Sequence, residues 1–337
     1  MSLPPVEIPL GAMRFNSDSQ KLEYWNGQIW MQIHTFNPDL DGGARGIIGG
    51  GSSYADRIEF ITIPTAGNST DFGDLSIGRM LLSGMSSRTR ALFAGGRKSP
   101  GVQENLIDYV TISSTGDAAD FGDLTKINEY ASLGTIANAT RGIIAGGENY
   151  SPHTDMGTEI NYVTMASTGN AVKFGDLNVN VQDAPAGFAS PIRGFVAGGG
   201  GPNGVTTIQY ITIPTTGDAT VFGDLSQARQ GAFGVSNSTV GLVAGGYSGS
   251  DVNIIEKINM ATLGDAVKFG DLSDSRRWGA SICSPVRGVF AGGYAPGSVN
   301  TMDYCSIVTG GDCVDFGDQL DAKGGSYGGS NAHGGLG

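Results

Sequence analysis

Short apolar runs recur along the chain at a nearly constant distance. Four apolar or small residues ending in paired glycines appear as Arg45-Gly-Ile-Ile-Gly-Gly-Gly51, Arg141-Gly-Ile-Ile-Ala-Gly-Gly147, Arg193-Gly-Phe-Val-Ala-Gly-Gly199 and Arg287-Gly-Val-Phe-Ala-Gly-Gly293. Runs of this length bounded by Gly fit a strand buried on both faces. A variable loop follows, then a β-branched and aromatic stretch such as Ile58-Glu-Phe-Ile-Thr-Ile63 or Ile208-Gln-Tyr-Ile-Thr-Ile213, a second strand by propensity. Gly67, Gly116, Gly169, Gly217, Gly264 and Gly311, each followed by Asn or Asp, mark hairpin turns. Five residues after each comes Phe-Gly-Asp-Leu, at Phe72, Phe121, Phe174, Phe222 and Phe269, with Phe-Gly-Asp-Gln-Leu at Phe316. That is the third strand. A small-residue stretch such as Gly231-Ala-Phe-Gly-Val-Ser236 supplies a fourth. The Phe spacings are 49, 53, 48, 47 and 47 residues, so one supersecondary unit is repeated six times, each burying its neighbour's apolar face.

Four strands in about fifty residues is a propeller blade. The double glycine, the aromatic third strand and an Arg after the fourth (Arg79, Arg229, Arg276) resemble kelch repeats over residues 41–337. The resemblance implies an all-β, six-bladed kelch-like β-propeller. The first repeat lacks an innermost strand, and Ala322–Ser330 is a matching strand with no blade after it. Closure of the ring by this C-terminal strand removes both exposed sheet edges. The six repeat Phe side chains are expected to pack between blades. Asp74, Asp123, Asp176, Asp224, Asp271 and Asp318 are expected to accept strand-end N–H bonds or pair with an Arg of the Arg-Gly strands, rather than ligate calcium.

Residues 1–40 differ in kind. Gly11–Asn16, Lys21–Trp25 and Gln28–Ile33, with a hairpin at Asn26-Gly27, predict a small three-stranded β meander. Such a piece buries too little surface to stand alone. Its string Gly-Ala-Met-Arg-Phe-Asn-Ser-Asp-Ser-Gln-Lys-Leu-Glu-Tyr-Trp-Asn-Gly-Gln-Ile-Trp resembles a short motif of tail-fibre and other virion proteins of tailed bacteriophages. The resemblance implies attachment to other virion proteins and homotrimer formation, through Phe15, Tyr24, Trp25 and Trp30.

The 56 glycines fall at periodic turn positions rather than in a low-complexity tract. A net charge of −12 argues against nucleic-acid binding. No apolar run is long enough for membrane insertion, and no signal peptide is evident. Cys283 reads as a buried thiol, while Cys305 and Cys313 flank a hairpin and stand close enough in sequence to meet across it. His34, His153 and His333 lack metal-ligand spacing, no phosphate loop or sialidase-type repeat is present, and neither an enzyme nor a cofactor is expected.

What varies among the repeats is the loop after the double glycine, which carries Tyr54, Arg97, Lys98, Tyr150, His153, Tyr247 and Tyr294. Tyr, Ser, Gly and Arg on a rigid scaffold suit recognition. Together with the phage-like leader this leads to the expectation of a virion appendage protein, assembled in the host cytoplasm, presenting these loops to a host surface glycan or protein. A purely structural fibre or decoration subunit, and a cellular kelch-type interaction module, are the alternatives.

Overall fold

The computed structural model describes residues 8–16, 21–32, 44–148, 157–201 and 204–336. The chain divides into two compact units, Met1–Gly42 and Gly43–Gly337. The protein is all-β: among the described residues the regular elements are strands and two short 3-10 turns.

The larger unit carries one antiparallel sheet per repeat. In the second, for example, Ser83–Ser86, Arg90–Ala94, Leu106–Thr111 and Ala119–Asp123 follow in spatial order. In the first, Arg45–Gly49, Arg57–Thr62 and Thr70–Asp74 are joined by Tyr327–Ser330, which pairs with Arg45–Gly49 in the register Tyr327↔Gly49 to Ser330↔Gly46. The expected partnership of the C-terminal strand with the first repeat is therefore present. Even the turn is preserved. The side chains of Ser87, Asn138, Ser190, Asn237 and Ser284 accept the N–H that opens the next strand, and Asn331 does the same for Arg45 at 2.8 Å, although nearly the whole chain lies between them.

The third repeat departs from four strands. Its sheet has three, Arg141–Ala145, Glu159–Thr164 and Val172–Asp176, and residues 132–138 meet them only through isolated bridges and single hydrogen bonds. Two more residues separate its Leu124 segment from Arg141 than in the second, fifth and sixth repeats. The excess bulges inward at Gly134, where a Cβ would stand 2.3 Å from the Gly187 carbonyl and 2.5 Å from that of Gly234. The bulge thereby fills space between the innermost strands of the fourth and fifth repeats.

Each repeat Phe is the extra residue of a β-bulge. The register passes from Ile58↔Gly73 to Glu59↔Asp71, skipping Phe72, and the same skip recurs at Phe121, Phe174, Phe222, Phe269 and Phe316. A bulge turns one side chain out of the alternation. Phe72 accordingly packs with Ile47 and Ile58 of its own repeat and Phe93, Val110 and Ile112 of the next. The following glycine has a separate cause. A Cβ at Gly73, Gly122, Gly175, Gly223, Gly270 or Gly317 would lie 2.2–2.6 Å from the carbonyl oxygen of the next repeat's turn glycine, Gly67 serving Gly317.

The repeat Asp plays another part than expected. Its backbone N–H makes the recurring contact: Asp74, Asp123, Asp176, Asp224, Asp271 and Asp318 donate to the side chains of Asp117, Asn170, Asp218, Asp265, Asp312 and Asn68 at 3.0–3.1 Å. The carboxylates make only local contacts, Asp224 accepting from Thr206 at 2.8 Å and Asp176 and Asp271 pairing with Lys173 and Lys268 at 2.8 and 2.9 Å. The arginines that open the double-glycine strands do not meet it either. Arg45, Arg90, Arg141, Arg193 and Arg287 lie 4.5–4.9 Å over an aromatic ring of their own middle strand. Each donates to a main-chain carbonyl of the next repeat: Ile112, Met165, Ile213, Met260 and, for Arg287, Ile63 of the first.

A buried ion pair recurs between repeats, its cation seven residues after the Phe. There Arg79, Arg229, Arg276 and Lys323 meet Asp108, Glu256, Asp303 and Glu59 at 2.7, 2.5, 3.0 and 2.7 Å, all essentially without solvent contact. In the remaining two repeats the position holds Asn128 and Val181, and the middle-strand position holds Asn161 and Gln209. Charge appears on both sides or on neither, as the cost of burying an unpaired ion requires.

Residues 331–336 follow the closing strand and touch several repeats. His333 is buried; its Nδ1 accepts from the Gly335 N–H at 3.2 Å, so Nε2 carries the proton and donates to the Ser86 carbonyl at 2.8 Å. Ideal Cβ positions at Gly334 and Gly335 would collide with the carbonyls of Asn237 and Ala137. Burial pushes the His333 imidazole down to about 4. The folded state thus holds it neutral where the unfolded chain would protonate it. Its contribution is fully present above pH 6.5 and is lost as pH falls toward 4, by up to about 3 kcal/mol. Urea midpoints measured from pH 7 to 4 should fall less steeply for His333→Gln than for the parent; parallel profiles would refute the assignment.

The N-terminal unit is a three-stranded antiparallel sheet of Met13–Asn16, Lys21–Trp25 and Trp30–Gln32. Its second turn is centred one residue later than Asn26-Gly27, because Asn26 pairs with Ile29 and its side chain accepts the N–H groups of Gln28 and Ile29.

Candidate functional site

The double glycines build the loop end of the repeats. A Cβ on the first glycine (Gly50, Gly95, Gly146, Gly198, Gly245, Gly292) would stand 2.4–2.7 Å from the carbonyl of the residue seven after the repeat Phe. The second glycine donates its N–H to that same carbonyl at 2.7–3.1 Å. The residue after the pair is thereby laid beside the residue eight after the repeat Phe, in the bridges Met80↔Arg97, Glu129↔Glu148, Gln230↔Tyr247 and Arg277↔Tyr294.

One residue further, a hydrogen-bond circuit links all six repeats. Leu81 N–H donates to Gly325, Gly325 to Trp278, Trp278 to Gly231, Gly231 to Ala184, Ala184 to Tyr130, and Tyr130 back to Leu81, at 2.5–3.1 Å. Every member has positive φ, including the non-glycine residues Leu81, Tyr130, Ala184 and Trp278. Left-handed backbone at a bulky residue is costly and is maintained only where the surroundings over-determine it.

Around this circuit the structure gathers aromatic and charged groups. Trp278 and Tyr130 lie 6.2 Å apart between centroids, and Trp278 and Tyr294 6.3 Å. The Arg277 guanidinium is held over Trp278 at 4.3 Å, Tyr247 at 4.5 Å and Tyr294 at 5.1 Å, and donates to Asp251 at 2.7 Å. Trp278 reaches over Gly231, where a Cβ would meet its ring at 2.5 Å. On the other side Arg97 makes a bidentate pair with buried Glu129, at 2.7 and 2.5 Å. The bonds to Glu129 hold the Arg97 guanidinium above its ordinary range. Burial first, then Glu129, pushes the Tyr130 phenol up to about 12. Asp183 is also raised, by burial and by Glu129. With its amide nitrogen turned toward acceptors, Gln230 donates to Asp183 at 3.2 Å and to the Gly200 and Gly201 carbonyls at 3.0 Å.

Of the residues expected from the sequence, Tyr247 and Tyr294 are brought together by Arg277, and Arg97 joins through Glu129. Tyr54, half-buried in the turn Ser52–Tyr54, lies within the electrostatic reach of Arg97. Lys98 turns away and pairs with Glu104 in a hairpin formed by Arg97–Ser99 and Val102–Gln103. Tyr150 and His153 lie outside the described residues. Tyr130, Asp183, Gln230, Arg277 and Trp278 were missed, because they precede the small-residue strand rather than sit in the variable loop. Repeat alignment carried a signal: Tyr130 and Trp278 occupy positions that other repeats fill with Gly, Ala or Leu.

The N-terminal residues split between two faces. Trp25 and Trp30 are 5.6 Å apart, with Arg14 4.2 Å over Trp30 and bonded to buried Glu23 at 2.9 Å. Phe15 and Tyr24 share the opposite face with Met13 and Met31, and all four are exposed, Phe15 at 66%. Alternation puts the indoles on the Arg14–Glu23 side and leaves the other side apolar.

Cys283, Cys305 and Cys313 are free and buried. Cys305 and Cys313 do meet across their hairpin as thiols, and that contact together with burial raises Cys313. Among the described residues no group of three His, Cys, Asp or Glu side chains could hold a metal ion, and no helix is long and apolar enough to cross a membrane. No family model matches the chain, and no curated protein matches it significantly.

Proposed function

We propose that this chain is a virion appendage protein of a tailed bacteriophage, in which a closed six-bladed kelch-like propeller presents its loop end to the host surface and the N-terminal unit attaches to the particle. Closure is supported by the circuit of Leu81, Tyr130, Ala184, Gly231, Trp278 and Gly325, whose six backbone bonds return to their starting residue. A small protein-wide set of aromatic and guanidinium groups at one end of a rigid scaffold favours recognition over chemistry. The observation that carries the recognition role is the convergence of Tyr130, Tyr247, Arg277, Trp278 and Tyr294 from three different repeats.

The open face of Met13, Phe15, Tyr24 and Met31 supports attachment and self-association through the N-terminal unit, with three copies as the proposed assembly. It equally favours a second reading, a structural subunit held between other virion proteins. Localisation in intact particles separates them: a distal position supports host recognition, and burial between capsid or tail proteins leaves the structural role alone. Removal of residues 1–42 should leave a folded, soluble monomer, because the sheets of the larger unit are completed within residues 44–336. Light scattering that still gives the parent oligomer, or a chain that fails to fold, would refute the attachment role.

A further inference from the structure

We propose that the Tyr130–Trp278 platform binds an uncharged saccharide, an inference that rests on the recognition role of the loop end and names its ligand class. The platform joins two half-buried rings of different repeats beside a carboxylate and an amide, Asp183 and Gln230. A pyranose offers matching surfaces: an apolar C–H face for an aromatic ring and a rim of hydroxyls that both donate and accept. Asp183 and the Gln230 amide oxygen supply acceptors for sugar hydroxyls, the Gln230 nitrogen being held by Asp183 and the Gly200 and Gly201 carbonyls.

Charge decides against anionic ligands. The two guanidinium groups of the cluster are already committed, Arg97 to Glu129 and Arg277 to Asp251. Asp183 has no cation among the groups that shift it, and Glu129 lies close enough to raise it. A sialic acid, uronate, sulfate or phosphate would therefore meet net negative charge with, among the described residues of the cluster, both guanidinium groups already paired. A ligand cation is disfavoured on the other side, since Arg277 already lies over one face of each of the Trp278, Tyr247 and Tyr294 rings. Hydroxyl-rich, uncharged and ring-shaped is what remains complementary.

The test applies the full-length protein to an array of neutral, sialylated, sulfated and uronate-containing oligosaccharides, then titrates the best neutral one by isothermal titration calorimetry. Binding to neutral glycans is expected, weakened more than tenfold in Trp278→Ala and severalfold in Asp183→Asn, and largely retained in Trp278→Phe. The Phe variant keeps the platform if the Ala variant proves unfolded. Preference for acidic glycans, absence of any glycan binding, or unchanged affinity in both Trp278→Phe and Asp183→Asn with Trp278→Ala folded and unaffected would overturn the proposal. Adsorption of the protein to host cells is measured in parallel. Cell adsorption without glycan binding defeats the saccharide and leaves the recognition role standing; glycan binding by a protein absent from the particle does the reverse.

Discussion

A chain ending at Asp321 should fail to reach a soluble folded state. The loss removes Tyr327–Ser330 from the first sheet and exposes the edge of Arg45–Gly49. It takes Lys323 from Glu59, leaving a fully buried carboxylate without its cation. Gly325 leaves the backbone circuit, and Tyr327, 1% exposed, leaves an apolar cluster shared with Ile47, Phe72 and Phe93. Together these exceed the roughly 5–15 kcal/mol by which a domain is normally stable. The remedy is specific. Asn331 already caps Arg45 as Asn138 caps Arg141, with two residues between the latter pair. Moving Ala322–Asn331 to stand directly before Ala44, joined by one linking residue, gives the first repeat the chain order of the others and should restore folding. Near-UV circular dichroism and the soluble yield decide the outcome. A truncated chain that melts like the parent would disprove closure by this strand.

Neutralising one member of a buried ion pair should be more damaging than replacing both. Glu256→Ala leaves Arg229 buried among the carbonyls of Gly245, Ile254 and Val243 with no counter-ion. Burial pulls this guanidinium down to about 10 even with Glu256 opposing the shift. The expected cost is about 3–5 kcal/mol. The fourth repeat shows a neutral solution, with Val181 and Gln209 at the same two positions and the Gln209 amide meeting the N–H groups of Asn178 and Val179 and the carbonyl of Val179. Arg229→Val/Glu256→Gln should therefore regain most of the loss, ending within about 2 kcal/mol of the parent. Chemical denaturation of parent, single and double variants measures the coupling. Additive losses would mean that the pairing of charge across repeats has no energetic basis.

Much of this architecture was legible because the repeats supply six samples of one environment. The double glycine and the glycine of Phe-Gly-Asp-Leu mark places where backbone approaches too closely for a side chain, the repeat Phe marks a bulge that swings one ring inward, and the turn glycine is required by its positive φ. Constraints of that kind recur at a fixed spacing, so they print themselves on the sequence. The partnership of Ala322–Ser330 with the first repeat followed from counting strands. The all-β class, the sheet order and the small-residue inner strands were within reach of periodicity alone.

Contacts between residues far apart along the chain were decided by the tertiary structure. Tyr130 and Trp278 come from different repeats and meet only because the six sheets bring one backbone position of each to a common circuit. The role of the repeat Asp was misassigned because its binding partner is a turn residue of the next repeat, 41–43 positions away for most. Likewise Phe15 and Trp30 look equally apolar in sequence, and only strand pairing separates them onto opposite faces, one covered by Arg14 and the other open. Sequence alone therefore determined what each repeat must be, since that is set by local sterics and burial within a unit. The tertiary structure determined what the repeats make together, because charge pairing and aromatic contact depend on which side chains distant turns place within a few ångströms of one another.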